Sequence, residues 1–112
     1  MHFEYYDKDG IVVIQIKGRL DAGNVAALKS KYRELSVNKH NFVFDLSEME
    51  YVDSTGLGSI VSCLKSATEA GGDVKLACLK DKPRMIFEIT RAYKIFDIFD
   101  DLDAAIEAFT IQ

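Results

Sequence analysis

The spacing of apolar positions along the chain changes several times, and each change marks an element. Residues 3–6 and 11–17 are strand-like and flank Asp7-Lys8-Asp9-Gly10, in which Asp9-Gly10 supplies the positive-φ chemistry of a tight hairpin turn. In the second strand Val12, Ile14 and Ile16 point one way and Val13, Gln15 and Lys17 the other, and Gly18 ends it. From Asp21 the spacing becomes helical: Val25, Leu28, Tyr32 and Leu35 share a face, while Lys29, Lys31, Arg33 and Glu34 occupy the others. Residues 38–41 interrupt that helix. Phe42-Val43-Phe44-Asp45-Leu46 then predicts a strand buried on both faces.

A second helical stripe, Leu57, Ile60, Val61, Leu64 and Thr68, is closed by Gly71-Gly72, since glycine readily takes the left-handed conformation at a helix C-terminus. A strand follows at residues 74–79. Asp81 as N-cap and Pro83 in the first turn mark a third helix, with Ile86, Ile89 and Tyr93 inward. Residues 95–99 read as a short strand, and Asp100 caps a last helix that turns Leu102, Ala105, Ile106 and Phe109 inward. The predicted order is ββαβαβα(β)α. Its β-α-β steps call for parallel strands with right-handed crossovers, and the opening hairpin makes the sheet mixed. No linker, low-complexity run or internal repeat interrupts the pattern. The expected fold class is therefore α/β: one sandwich domain over residues 1–112, with a mixed, mostly parallel β-sheet and about four helices.

Composition narrows the function. At 112 residues and 48% hydrophobic, the chain has apolar material for one core. The net charge is -4, but residues 95–112 hold five acids (Asp97, Asp100, Asp101, Asp103, Glu107) and no base, leaving residues 1–94 at +1. A near-neutral body without a basic stripe predicts no nucleic-acid binding. The longest stretch free of charged residues, 54–64, falls far short of the ~20 apolar residues that span a bilayer, so no membrane partner is expected. The N-terminal residues lack the basic and apolar regions of a signal peptide, which places the protein in the cytoplasm. Cys63 and Cys78, both on apolar-patterned segments, fit reduced core residues better than a disulfide or zinc site. Asp100, Asp101 and Asp103 fit the positive end of the last helix dipole; the alternative for this acidic cluster is a partner-binding surface. Without a long apolar seam the free chain is expected to be a monomer.

The most unusual segment is Tyr51-Val52-Asp53-Ser54-Thr55-Gly56-Leu57-Gly58, between a buried strand and an apolar helix. Loops at the C-terminal ends of strands are where open α/β sheets place their sites. As helix N-caps, Ser54 or Thr55 would have a purely structural role. Two glycines in one helical turn cost about 1 kcal/mol each, and point instead to another backbone, or a partner, coming close. The loop matches neither a phosphate-binding glycine motif nor the G-x-S-x-G elbow of a hydrolase. A nucleophilic serine needs a base, and the histidines, His2 and His40, read as surface residues. No catalytic residue, cofactor or metal site is expected. What an exposed Ser54 at a helix start can do is accept a phosphoryl group, beside Asp53 and beside Asp21 if a parallel sheet brings the two loops together.

At these residues the chain resembles the STAS domain of bacterial anti-sigma-factor antagonists. Asp53-Ser54-Thr55-Gly56-Leu57-Gly58 is similar to the family's phosphorylation loop, and Gly18-Arg19-Leu20-Asp21 to its second motif. The resemblance implies a partner switch. The unphosphorylated antagonist binds an anti-sigma factor that is also a serine-protein kinase; the kinase phosphorylates it and it lets go; a PP2C-type phosphatase restores it. By motif position Ser54 would be the phosphoacceptor, with Asp21, Asp53, Thr55, Gly56, Leu57 and Gly58 at the partner surface. ATP and magnesium would belong to the kinase, and the chain itself would be neither an enzyme nor a cofactor binder. Arg19 departs from the pattern, since many relatives carry an acidic or uncharged residue there; this bears on partner identity. The competing reading is a non-switching STAS scaffold or subunit in a sensory or lipid-transport complex.

Overall fold

The computed structural model describes residues 3–110. Two strands, β1 (Glu4–Lys8) and β2 (Ile11–Gln15), form the antiparallel hairpin, with Lys8 opposite Ile11. Asp9 and Gly10 both take positive φ, 55° and 84°, which matches the right-handed twist of the strands they join. From β2 the sheet grows by parallel pairing through β4 (Asn41–Asp45) and β6 (Asp73–Ala77) to β7 (Ile98–Phe99), giving the order β1-β2-β4-β6-β7.

Helices cover both faces. Val12, Ile14, Phe42, Phe44, Val74 and Leu76 pack under α1 (Val25–Leu35), α2 (Ser54–Glu69) and α3 (Asp81–Ile89). Ile11, Val13, Val43 and Ala77 point the opposite way, onto α4 (Leu102–Glu107). Residues 42–45 of β4 are accordingly buried on both sides, as a central parallel strand requires.

The predicted order omits two strands. β3 (Gly18–Leu20) and β5 (Met49–Val52) pair in parallel as a separate two-stranded ribbon. Three and four residues are too few to show a period, and Gly18, read as the end of β2, instead uses φ 71° to turn the chain into β3.

Helix starts and faces also differ in detail. Asp101, rather than Asp100, caps α4, its carboxylate accepting from the Ala104 N–H at 2.7 Å. Lys80 occupies the position before α3 and Asp81 lies in its first turn, so the proline sits one residue deeper than in a capped start at Asp81. On α2, Cys63 and Ala67 are buried while Thr68 is exposed. On α3 Pro83 and Phe87 are buried and Ile86 packs against the core as expected, whereas Ile89, and Tyr93 beyond the helix, face outward. Phe87 meets Phe96 edge-on at 6.1 Å, and that contact sets the helix rotation. Ala92–Lys94 form a 3-10 turn, which shortens the last strand to Ile98–Phe99.

The acidic end does more than cap. Asp97 and Asp73 hold the Lys75 ammonium at 2.8 and 3.0 Å, where it lies over the Phe109 ring. Burial opposes that charge, but the bonds to Asp97 and Asp73 outweigh it and raise the Lys75 pKa.

Cys63 and Cys78 are free thiols. Burial pushes the Cys63 thiol up to about 12, so at pH 8 only roughly one in ten thousand is the reactive thiolate. We expect a thiol reagent at pH 8 to leave Cys63 unlabelled in the native chain and to label it at once in denaturant. Fast native labelling that Cys63→Ser abolishes would contradict the packing of α2.

Candidate functional site

Four segments converge at the C-terminal ends of β3 and β5. Leu20 is paired with Val52, so Asp21 and Asp53 are the first residues beyond the paired strands and leave the ribbon side by side. The parallel register thus brings together the two motifs that sequence reading separated by some thirty residues.

Asp53 is the N-cap of α2. Its backbone is extended, its carboxylate accepts from the Gly56 N–H at 2.7 Å, and its carbonyl accepts from the Leu57 N–H at 2.8 Å. The cap is therefore an aspartate, and neither Ser54 nor Thr55 as the purely structural reading had it. Both hydroxyl residues occupy the first turn, outside the cap, and both are exposed. Apart from the Asp53 cap that end of the helix carries no acidic residue, and as the N-terminus of α2 it places the positive end of the helix dipole beside the Ser54 hydroxyl.

The two glycines have separate reasons. A Cβ on Gly56 would stand 2.2 Å from the Leu20 carbonyl oxygen, so only glycine lets α2 come this close to the end of β3. Gly58 is exposed, and a Cβ there would meet nothing within 4 Å. Its missing side chain serves no contact within the chain. Leu57 is 5% exposed and belongs to the core, anchoring the helix beneath the surface that Ser54 presents.

Asp21 is fixed by a local network that the sequence did not reveal. Its carboxylate accepts from the Gly23 N–H at 3.0 Å and meets the Arg19 Nε at 3.4 Å. Asn24 spans the loop, accepting from the Asp21 N–H at 2.9 Å and donating to the Arg19 carbonyl at 2.8 Å. Asp-x-x-Asn ahead of an apolar helical stripe was the available signal for this capping loop.

Arg19 lies over the Tyr51 ring, 4.0 Å from its centre. Beyond this pair a groove of about 670 Å³ runs between the β3–β5 ribbon and α3, lined by Asp53, Ser54, Lys82, Met85 and Ile89 among others. Sequence reading missed this wall because it assigned Ile89 inward. Nearby, the Lys80 ammonium reaches Glu50 at 2.9 Å, and that hydrogen bond lowers the Glu50 pKa.

His40 is an exposed loop residue, and His2 lies outside the described residues. Among the described residues no three His, Cys, Asp or Glu side chains gather to hold a metal ion, and no helix is long and apolar enough to cross a membrane. With no histidine at the loop, the site offers a hydroxyl, carboxylates and helix-end dipoles. That set can receive and display charge, and the carboxylate next to Ser54 in sequence, Asp53, is engaged in the α2 cap.

Comparison with known proteins agrees with this geometry. A family model described as the STAS domain matches residues 2–105. The anti-sigma-B factor antagonist of Bacillus subtilis is 31% identical over 87 residues, which cover 78% of this chain and 80% of that protein. The crystal structure of a Thermotoga maritima protein superposes with a TM-score of 0.89 at 28% identity, covering 95% of this chain and 92% of the other. The anti-sigma factor antagonist SpoIIAA, solved unphosphorylated and phosphorylated, gives TM-scores of 0.73 and 0.74 at 16% and 17% identity. These two structures cover 97% and 96% of this chain and 98% and 99% of theirs, and they show likeness of fold alone.

The separate roles of the glycines predict opposite stability changes in urea unfolding. Gly56→Ala, forced against the Leu20 carbonyl, should lose about 1–3 kcal/mol. Gly58→Ala, an exposed helical position with open space, should gain about 0.5–1 kcal/mol. The same sign for both substitutions would contradict the assignment.

Proposed function

The chain belongs to the STAS-domain family, and from that premise we propose that it is an anti-sigma-factor antagonist. It binds an anti-sigma factor that is also a serine-protein kinase while Ser54 is free, and releases it when Ser54 is phosphorylated. The observation that carries this reading is the exposed Ser54 at the first residue of α2, with the capping role already filled by Asp53. Its hydroxyl owes nothing to the fold and is available to an incoming kinase.

In the transfer, the Ser54 oxygen forms a bond to the γ-phosphorus of the kinase's ATP as the bond to the ADP oxygen breaks, and the hydroxyl proton passes to a base on the kinase. In this reading the base comes from the partner, since the Asp53 carboxylate beside Ser54 is engaged by the Gly56 N–H. A PP2C-type phosphatase returns the serine by hydrolysis. The antagonist acts as substrate and ligand, a regulator with no catalytic step of its own.

The switch is electrostatic. Phosphorylation adds roughly -1.5 to -2 charges on a surface that already holds Asp53 and, across the strand ends, Asp21. At an exposed contact each close like-charge pair changes binding by about 1–4 kcal/mol, depending on how far water is excluded. A partner that brings its own acidic groups against this surface would therefore lose at least several-fold in affinity. Gly58 supports the same reading, since a missing side chain that nothing in the chain needs leaves room for a partner backbone.

Incubation with ATP, magnesium and an anti-sigma-factor serine kinase from the same organism should add one phosphate, located by mass spectrometry on Ser54 and lost in Ser54→Ala. Phosphate elsewhere, or surviving in Ser54→Ala, would overturn the assignment. Stable binding of the kinase with no phosphate transfer would favour the scaffold reading. Ser54→Asp should bind the kinase at least fivefold more weakly than Ser54→Ala; equal affinities would contradict the charge switch.

A further inference from the structure

The groove between α3 and the β3–β5 ribbon exposes apolar surface that the fold does not use. Ile89 is 78% and Met85 58% exposed on one wall, and Tyr51 is 40% exposed on the other. Scattered exposed hydrophobics are ordinary, whereas several lining one concave surface mark an interaction site. Phe87 and Pro83 already anchor α3 to the core, so Met85 and Ile89 are not needed to hold the helix.

The charges around the groove are unequally engaged. Asp53 is committed to the α2 cap and Glu50 to Lys80. Lys82 makes no ion pair among the described residues, although its charge acts on Glu50, and Arg19, 63% exposed, pairs with Asp21 at 3.4 Å. The exposed cations at the groove are Lys82 and Arg19, beside the carboxylates of Glu50 and Asp53.

We propose that this groove receives a segment of the protein partner in which an aliphatic or aromatic side chain is flanked by a carboxylate. The apolar side chain seats between Ile89, Met85 and Tyr51, and the carboxylate meets Arg19 and Lys82. Arg19 is suited to this because the Tyr51 ring holds its guanidinium at the groove wall. The inference rests on the reading of Ser54 as part of a partner interface, with which the groove is continuous because Asp53 and Ser54 line it. A phosphate on Ser54 would compete with the partner's carboxylate for the same two cations, in addition to repelling its acidic groups.

The test is the affinity of the anti-sigma-factor serine kinase that phosphorylates the chain for the full chain and four variants, with urea midpoints confirming that each variant folds. Ile89→Asp should bind at least tenfold more weakly. Val37→Asp, at a residue 75% exposed outside the groove, should stay within twofold of wild type. Lys82→Glu should weaken binding by a factor that shrinks as salt rises. If Ile89→Asp stays within twofold while Ser54→Asp binds weakly, the groove proposal falls and the Ser54 reading stands. If Ser54→Asp binds like wild type while Ile89→Asp does not, the groove stands and the Ser54 switch falls. A wild-type chain that does not bind the kinase overturns both. Wild-type dimers in sedimentation that Ile89→Asp dissolves would assign the groove to a second copy of this chain and overturn the partner proposal.

Discussion

The close approach of the Leu20 carbonyl to Gly56 is the contact on which the site depends. A methyl group at Gly56 would lie 2.2 Å from that oxygen, so the first turn of α2 can rest on the end of β3 only because residue 56 has no side chain. The Asp53 N–H points to the same carbonyl at 3.4 Å. The N-terminus of α2 and the exit of β3 are thus fixed to each other. Asp21 and Asp53 emerge together, with Ser54 one residue further on, and the ribbon's far side is left to form one wall of the groove.

From that constraint follows a division of labour within a six-residue motif. Asp53 caps, Gly56 permits the approach, and Leu57 anchors the turn in the core. These three are explained by stability. Ser54, Thr55 and Gly58 are exposed and have no such duty in the free chain. An aspartate cap releases the serine hydroxyl, so a phosphoryl group could be added there without undoing the helix start. The same aspartate gives the surface its negative charge, which makes the added charge felt by anything docked on it. A cap and a switch can share one turn because different side chains perform the two tasks.

Much of this was legible in the sequence, for physical reasons that differ by element. The hairpin was readable because Asp9-Gly10 has one favoured turn chemistry, and β4 because consecutive apolar residues at Phe42, Val43 and Phe44 fit a strand with helices on both faces. The convergence of Asp21 with Asp53 was readable as a conditional, since it needs the parallel pairing of β3 and β5. Those strands were too short to announce themselves. The cap was misplaced by one residue at Asp100, because Asp100 and Asp101 are chemically equivalent candidates and backbone geometry alone chooses between them; at Asp81 the start shifted to Lys80, whose side chain makes no capping bond. The groove was illegible for another reason. Ile89 fits an inward helical stripe, and only the packing of Phe87 against Phe96 rotates α3 so that Ile89 faces outward.

The central claim is that charge on Ser54, added by phosphorylation, controls binding to an anti-sigma partner through the Asp21–Asp53 surface. It is tested most directly by calorimetric titration of the serine kinase with the free chain and with the chain stoichiometrically phosphorylated on Ser54, each at low and at high salt. The account predicts weaker binding of the phosphorylated form by at least fivefold at low salt, with the gap narrowing as salt screens the exposed charges. Equal dissociation constants for the two forms at low salt would contradict it.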